Sequence, residues 1–313
     1  MPYKLLSYFI LDELTGHPAY LDHQLRITEP TICDPSVQQY SGYLDISDEK
    51  HLFFWTVPRF HHSYSELTID CTRFFEARHD PRNAPLILWL NGGPGASTIA
   101  SGLLFEHGPC SVPVGSNSTK RNNYSWNEKV NIIYLDQPVG TGYSYGPATT
   151  LTLATLAEDV YAFLQLWMHR FPQYAARPFH LAGESWGGHY VPNIAHFIHT
   201  QNERMVYAPR LGQVKINLAS VTMANGLTDP ATQFETNVEY MCGGAPYPPF
   251  RPDDSRCMAW RAATPRCLAL IQSCYKLPSN VTCGAATAYC WTIIQGGPLE
   301  GACLPFRLKA PLT

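Results

Sequence analysis

The chain has 313 residues, 45% of them hydrophobic and 15% charged, with a formal net charge of −3. A chain of this length buries a sizeable core in one or two domains, and a near-neutral balance with no basic block excludes nucleic acid as a charge-driven partner. No apolar run reaches the roughly 18 residues of a membrane span; the longest, Leu86-Ile87-Leu88-Trp89-Leu90, suits a buried strand.

The N-terminal residues 1–16 make a poor secretory signal. Their apolar stretch is broken by Asp12 and Glu13, and no small-residue cleavage site follows, so the expectation is a true start further upstream. Residues 39–45 alternate and end in an acidic turn, residues 51–55 form a second apolar strand, and the two predict a hairpin. Residues 74–78 read as more strand and 80–85 as a turn. The strand 86–90 then opens into Asn91-Gly92-Gly93-Pro94-Gly95. A glycine loop by itself serves as a tight turn or a phosphate cradle. This one lacks the Gly-Lys-Ser/Thr end of a P-loop, and a buried strand opening into such a loop is where an α/β-hydrolase supplies an oxyanion N–H.

Residues 131–136 predict another buried strand, followed by Gln137-Pro138-Val139-Gly140. Residues 155–171 carry helical spacing at Leu156, Val160, Phe163, Leu164 and Trp167. Next come a short apolar run, Phe179-His180-Leu181-Ala182, and the pattern Gly183-Glu184-Ser185-Trp186-Gly187. A helix-periodic stretch through Ile194, Phe197 and Ile198 follows. A bare Gly-x-Ser-x-Gly often occurs by chance in a loop. Strand, tight turn and helix together are the setting of a nucleophile elbow, which lifts the serine hydroxyl above the sheet beside a helix N-terminus. Residues 220–224 give a further strand ending in Asn225-Gly226. Strands alternating with helices predict an α/β-hydrolase fold, a mostly parallel sheet with helices on both faces.

From about Thr232 the character changes. Cys257, Cys267, Cys274, Cys283 and Cys290 crowd one segment, with weak helical signals over 259–275. Close spacing without a Cys-x-x-Cys pair favours disulfides over zinc. The expected organisation is a hydrolase core at 17–231 and a cysteine-rich insertion or cap at 232–303. Sequons at Asn117, Asn123 and Asn280, taken with the cysteines, fit passage through a secretory pathway.

Four motifs carry a family resemblance. Trp89-Leu90-Asn91-Gly92-Gly93-Pro94-Gly95, Asp136-Gln137-Pro138-Val139-Gly140, Gly183-Glu184-Ser185-Trp186-Gly187-Gly188-His189-Tyr190 and Asn225-Gly226-Leu227-Thr228-Asp229-Pro230 resemble the serine carboxypeptidases of the fungal carboxypeptidase Y type. The resemblance covers about residues 17–290. It implies removal of single residues from peptide or protein C-termini at acidic pH, in the vacuole or outside the cell, with no cofactor and no metal. It implies Ser185 as nucleophile and the backbone N–H groups of Gly93 and Trp186 as oxyanion donors. Asn91, Gly92, Glu106 and Glu184 would hold the substrate's terminal carboxylate. Carboxyl groups facing a carboxylate make sense only if protons are shared. The plainer alternatives are a helix-N-terminal acid for Glu184 and a solvated loop acid for Glu106. The resemblance also implies the pairs Cys242–Cys257, Cys267–Cys290 and Cys274–Cys283.

The sequence departs from the family pattern in four places. Ala96 stands where a cysteine is usual, so one staple is expected to be missing. Trp186 replaces a tyrosine, and its N–H still serves an oxyanion. Residues 56–73 have no counterpart and are read as a retained intron translated in frame; His61 and His62 there point opposite ways on a strand and make poor metal co-ligands. Most consequentially, the family's catalytic Asp and His are expected beyond residue 313, and all twelve histidines lie at or before His199. Neither His189, one turn down the elbow helix, nor Asp229 is assigned a triad role. The expectation is a family member, incomplete at its C-terminus, with little or no activity. The rivals are an acyltransferase on the same scaffold, a non-catalytic protein that binds peptide carboxylates, and a defective gene product.

Overall fold

The computed structural model describes residues 13–30, 32–33, 39–56, 77–80, 83–147 and 152–291. They form two compact units, divided between Gly226 and Leu227.

The first unit is built on an eight-stranded sheet. Strands β1 (Glu13–His17), β2 (Tyr20–Thr28), β3 (Tyr40–Asp45) and β4 (His51–Thr56) form an antiparallel meander. Then come β5 (Leu86–Leu90), a π-helical turn over Ile99–Glu106, and the short antiparallel pair β6 (Cys110–Ser111) and β7 (Lys120–Arg121). Strand β8 (Asn131–Leu135), helix α1 (Leu153–Arg170), strand β9 (Phe179–Glu184), helix α2 (Gly187–Tyr207) and strand β10 (Leu218–Ala224) complete the unit. The spatial order is β1-β2-β3-β4-β8-β5-β9-β10, and β8, β5, β9 and β10 run parallel.

Alternation sorts the strand side chains onto two faces. Leu86, Leu88 and Leu90 of β5 join Leu181 of β9 and the buried stripe Leu156, Val160, Phe163, Leu164 and Trp167 of α1. Each fully buried side chain of this kind contributes about 1.5–3 kcal/mol. Thr152 caps α1 by accepting from Thr155 N at 3.1 Å. On the opposite face Trp89, Ile132, Tyr134 and Ala182 pack against Ile99 and Leu103 of the π-helical turn. That turn is what returns the chain over the end of β5.

The hairpin expected at 39–55 is β3 and β4. The β1–β2 hairpin is not signalled in the sequence; of β2 only Leu25 and Ile27 are buried. Of the strand expected at 74–78, Phe74–Glu76 fall outside the described residues. Ala77 and Arg78 are loop, their N–H groups bound to Asn131 Oδ1 (2.8 Å) and Asn127 O (2.7 Å) rather than to a strand ladder. Thr56 closes β4 instead of opening the unmatched segment, and 57–73 lie outside the described residues. A disulfide not anticipated from sequence joins Cys33 to Cys110.

The second unit consists of α3 (Pro230–Glu239), a kinked turn over Tyr240–Gly244, α4 (Ser255–Lys276) and α5 (Asn280–Cys290). Phe234, Val238, Phe250, Trp260 and Ile271 form its small core. Cys242–Cys257, Cys267–Cys290 and Cys274–Cys283 staple it, the pairing that the resemblance implies. A core this small gains from such cross-links, each worth about 2–4 kcal/mol.

Candidate active site

Ser185 occupies the turn between β9 and α2 with φ +56°, the left-handed region that costs a non-glycine residue about 1 kcal/mol or more. The turn is held on both sides: Ser185 N donates to Ala224 O on β10 (3.0 Å), and Gly188 N donates to Ser185 O (3.0 Å). The result is an exposed serine at the mouth of a 21-residue helix. The positive end of that helix's dipole favours negative charge beside the hydroxyl.

The glycine loop lies directly against this turn. A Cβ on Gly92 would stand 2.3 Å from Trp186 N and 3.0 Å from Ser185 Cβ, so only glycine fits. Gly93 follows at φ +104°. Asn91, at the end of β5, is 2% exposed and has a fixed amide. Its Oδ1 accepts from Trp89 Nε1 (2.9 Å) and Gly102 N (3.1 Å), which leaves Nδ2 to donate to Glu106 Oε1 (3.2 Å) and Oε2 (3.4 Å). Glu106 ends the π-helical turn with its side chain one-third exposed. Burial pushes its carboxyl up, the charge of Glu184 pushes it further the same way, and the Asn91 hydrogen bond opposes both. Asn91, Glu106 and Glu184 are thus gathered beside an elbow that Gly92 touches. Glu106 keeps part of its side chain in solvent while its carboxyl accepts from the Asn91 amide.

Two further groups have settled positions. The His189 ring stacks on the Trp186 indole at 4.3 Å and 8°. Asp229 caps α3, accepting from Thr232 Oγ1 (2.5 Å) and N (3.1 Å) and from Tyr275 Oη (2.6 Å); the Thr232 hydroxyl first and then the Tyr275 hydroxyl hold its carboxyl below the usual range. No group of three or more His, Cys, Asp or Glu among the described residues is arranged to hold a metal.

Sequence reasoning missed the support behind Glu106. His107 lies buried between Trp126 (4.0 Å, stacked) and the edge of Trp89 (4.4 Å), with Nδ1 2.9 Å from Tyr134 Oη. Burial pushes its pKa down to about 4 and lifts the Tyr134 phenol well above its ordinary value. Asp136, quoted within a motif but given no role, accepts hydrogen bonds from Ser97 Oγ, Ile99 N and Tyr143 N.

The serine carboxypeptidase family model matches residues 73–293. The chain belongs to the serine carboxypeptidase family. It is 40% identical over 280 residues to carboxypeptidase Y homolog A of Phaeosphaeria nodorum, covering 89% of this chain and 46% of that protein. To the homolog of Sclerotinia sclerotiorum it is 43% identical over 287 residues, covering 91% and 47%. The chain therefore spans about half the length of the curated relatives it matches. Among solved structures it is similar to Kex1(delta)p, a prohormone-processing carboxypeptidase from Saccharomyces cerevisiae, with TM-score 0.61 and 23% identity over 84% of this chain and 55% of that one. That likeness shows a common fold, the α/β-hydrolase architecture. None of its described helices is long and apolar enough to cross a membrane.

Proposed function

We propose that the chain is a serine-type carboxypeptidase body that grips the terminal carboxylate of a peptide and presents the last peptide bond to Ser185. The carrying observation is the hydrogen-bonded Asn91–Glu106 pair, coupled to Glu184 and set beside the elbow. The Ser185 hydroxyl would attack the scissile carbonyl. The N–H groups of Gly93 and Trp186 would receive the oxyanion, and the terminal residue would leave as a free amino acid. Asn91 and the N–H of Gly92 would bind the carboxylate directly, with Glu106 and Glu184 sharing protons with it. A carboxylate site of this kind works best in acid, before its acids ionise.

Turnover also needs a base to take the serine proton. All twelve histidines lie at or before His199, and none is assigned that role. Triad members act as a unit, so lacking the base costs nearly as much as lacking the serine. Carboxylate binding with little serine-dependent turnover is therefore the proposal for residues 1–313 alone. The test is incubation with an N-blocked dipeptide at acidic pH, wild type against Ser185→Ala. The expected outcome is little or no serine-dependent release; release at ordinary enzyme rates overturns the low-activity reading. Selective binding of the free acid without release would support a non-catalytic carboxylate binder. Four disulfides and exposed sequons at Asn117, Asn123 and Asn280 support passage through the secretory pathway to a vacuole or the exterior.

A further inference from the structure

We propose that His107 is a positioning residue of the carboxylate site: its Nε2–H, held between two indoles and a tyrosine hydroxyl, fixes the orientation of the Glu106 carboxyl. The inference rests on the reading of Asn91, Glu106 and Glu184 as the carboxylate grip.

His107 follows Glu106 at the end of the π-helical turn, and its backbone is pinned from several sides. Its N–H donates to Gly102 O (3.0 Å), and its carbonyl accepts from Ser125 Oγ (3.1 Å) and Trp126 N (3.0 Å). The ring is fixed as firmly by Trp126 and Trp89. Trp89 also holds the Asn91 amide through its Nε1, so one indole orients both groups that approach Glu106. Asn91 Nδ2 stands 3.2 Å from Oε1 and 3.4 Å from Oε2, and His107 Nε2 stands 4.0 Å from Oε2.

The Tyr134 hydroxyl lies 2.9 Å from Nδ1 and is able to donate or to accept there; we take it as the donor, which puts the proton of a neutral imidazole on Nε2. That nitrogen is buried and makes no hydrogen bond. An unpartnered N–H facing a carboxylate across such a gap favours any small rotation that closes it. A substrate carboxylate that shares a proton with one Glu106 oxygen leaves Oε2 to close onto Nε2. The charged or titratable groups facing His107 are Glu106, at its own end of the turn, and Tyr134 of β8, with Glu184 of β9 acting through Glu106; Trp89 and Trp126 are uncharged.

The test uses the full chain, an N-blocked dipeptide with a free C-terminal carboxylate, and its C-terminal amide. Imidazole ¹⁵N resonances of the unmodified chain are expected to show His107 protonated on Nε2 and to move with the free acid but not the amide. His107→Phe keeps the ring in its slot and loses the N–H; binding of the free acid is expected to weaken about tenfold, with amide binding unchanged. His107→Gln places an amide N–H near the same point and is expected to recover most of that loss. A His107 protonated on Nδ1 instead, or a free-acid resonance shift no larger than the amide's, overturns the inference on unmodified protein. So does unchanged free-acid binding in a folded His107→Phe. If the wild-type chain does not prefer the free acid at all, the carboxylate-grip reading itself falls, and the role of His107 with it.

Discussion

Two carboxyl groups, the buried Asp136 and the partly exposed Glu106, are handled in opposite ways. Asp136 is fully buried, and both its oxygens are occupied: Oδ1 accepts from Ser97 Oγ (2.8 Å) and Ile99 N (3.1 Å), Oδ2 from Tyr143 N (3.0 Å). Burial raises its pKa, and those hydrogen bonds pull it back. Glu106 has one side-chain donor, Asn91, and a second carboxylate close enough to raise its pKa further. A saturated carboxylate ties loops together. An under-coordinated one beside a like charge has bonding capacity left for a ligand, and perturbed acids of that kind gather at functional sites.

The sharpest way to break the contrast is Asp136→Ala, which strands three donors at about 1–3 kcal/mol each. Urea unfolding is expected to show a loss of about 4 kcal/mol or more, a large part of a typical total stability of about 5–15 kcal/mol. A loss below about 1 kcal/mol would remove Asp136 as a structural tie. Next in size, Gly92→Ala forces a methyl into the 2.3 Å approach to Trp186 N. A cost of about 2–3 kcal/mol is expected, with loss of free-acid selectivity in calorimetric titration. Wild-type selectivity in that variant would show that the loop and the elbow need not touch.

Glu106→Gln should move stability least, by under about 1 kcal/mol, and pH dependence most. The Glu106 pKa is raised above its ordinary 4.5. Between that value and its folded value the folded chain keeps a proton that the unfolded chain has released. Its contribution to stability is therefore present at low pH and lost as pH rises through the folded pKa. Free-acid binding should decline over the same window in the wild type and lie flat in the variant. Parallel binding profiles from about pH 4 to pH 7 would take Glu106 out of the grip.

The elbow was legible because its geometry is local. Glycines at 183 and 187, a strand before and a helix after suffice to place Ser185. The stapled second unit was legible through family resemblance, since cysteine spacing alone leaves the pairing open. The meeting of Asn91 with Glu106 depends on the π-helical turn Ile99–Glu106, whose sequence has no distinctive period, so the resemblance implied a shared role for them and not their contact. His107 was illegible for a related reason: its partners Trp89, Trp126 and Tyr134 come from three separate segments. The β1–β2 hairpin escaped because its residues are largely polar and exposed, with Leu25 and Ile27 alone buried in β2.

The Cys33–Cys110 bond, with a sequence separation of 77, encloses all of residues 34–109. Proteolytic scission anywhere in that interval opens the backbone without releasing either part. The strands β1 and β2 before the loop and the Ser185 elbow after it remain one covalent molecule. Tethering keeps the two pieces at high effective concentration. A nicked chain would migrate as a single species on a non-reducing gel and divide in two only after reduction.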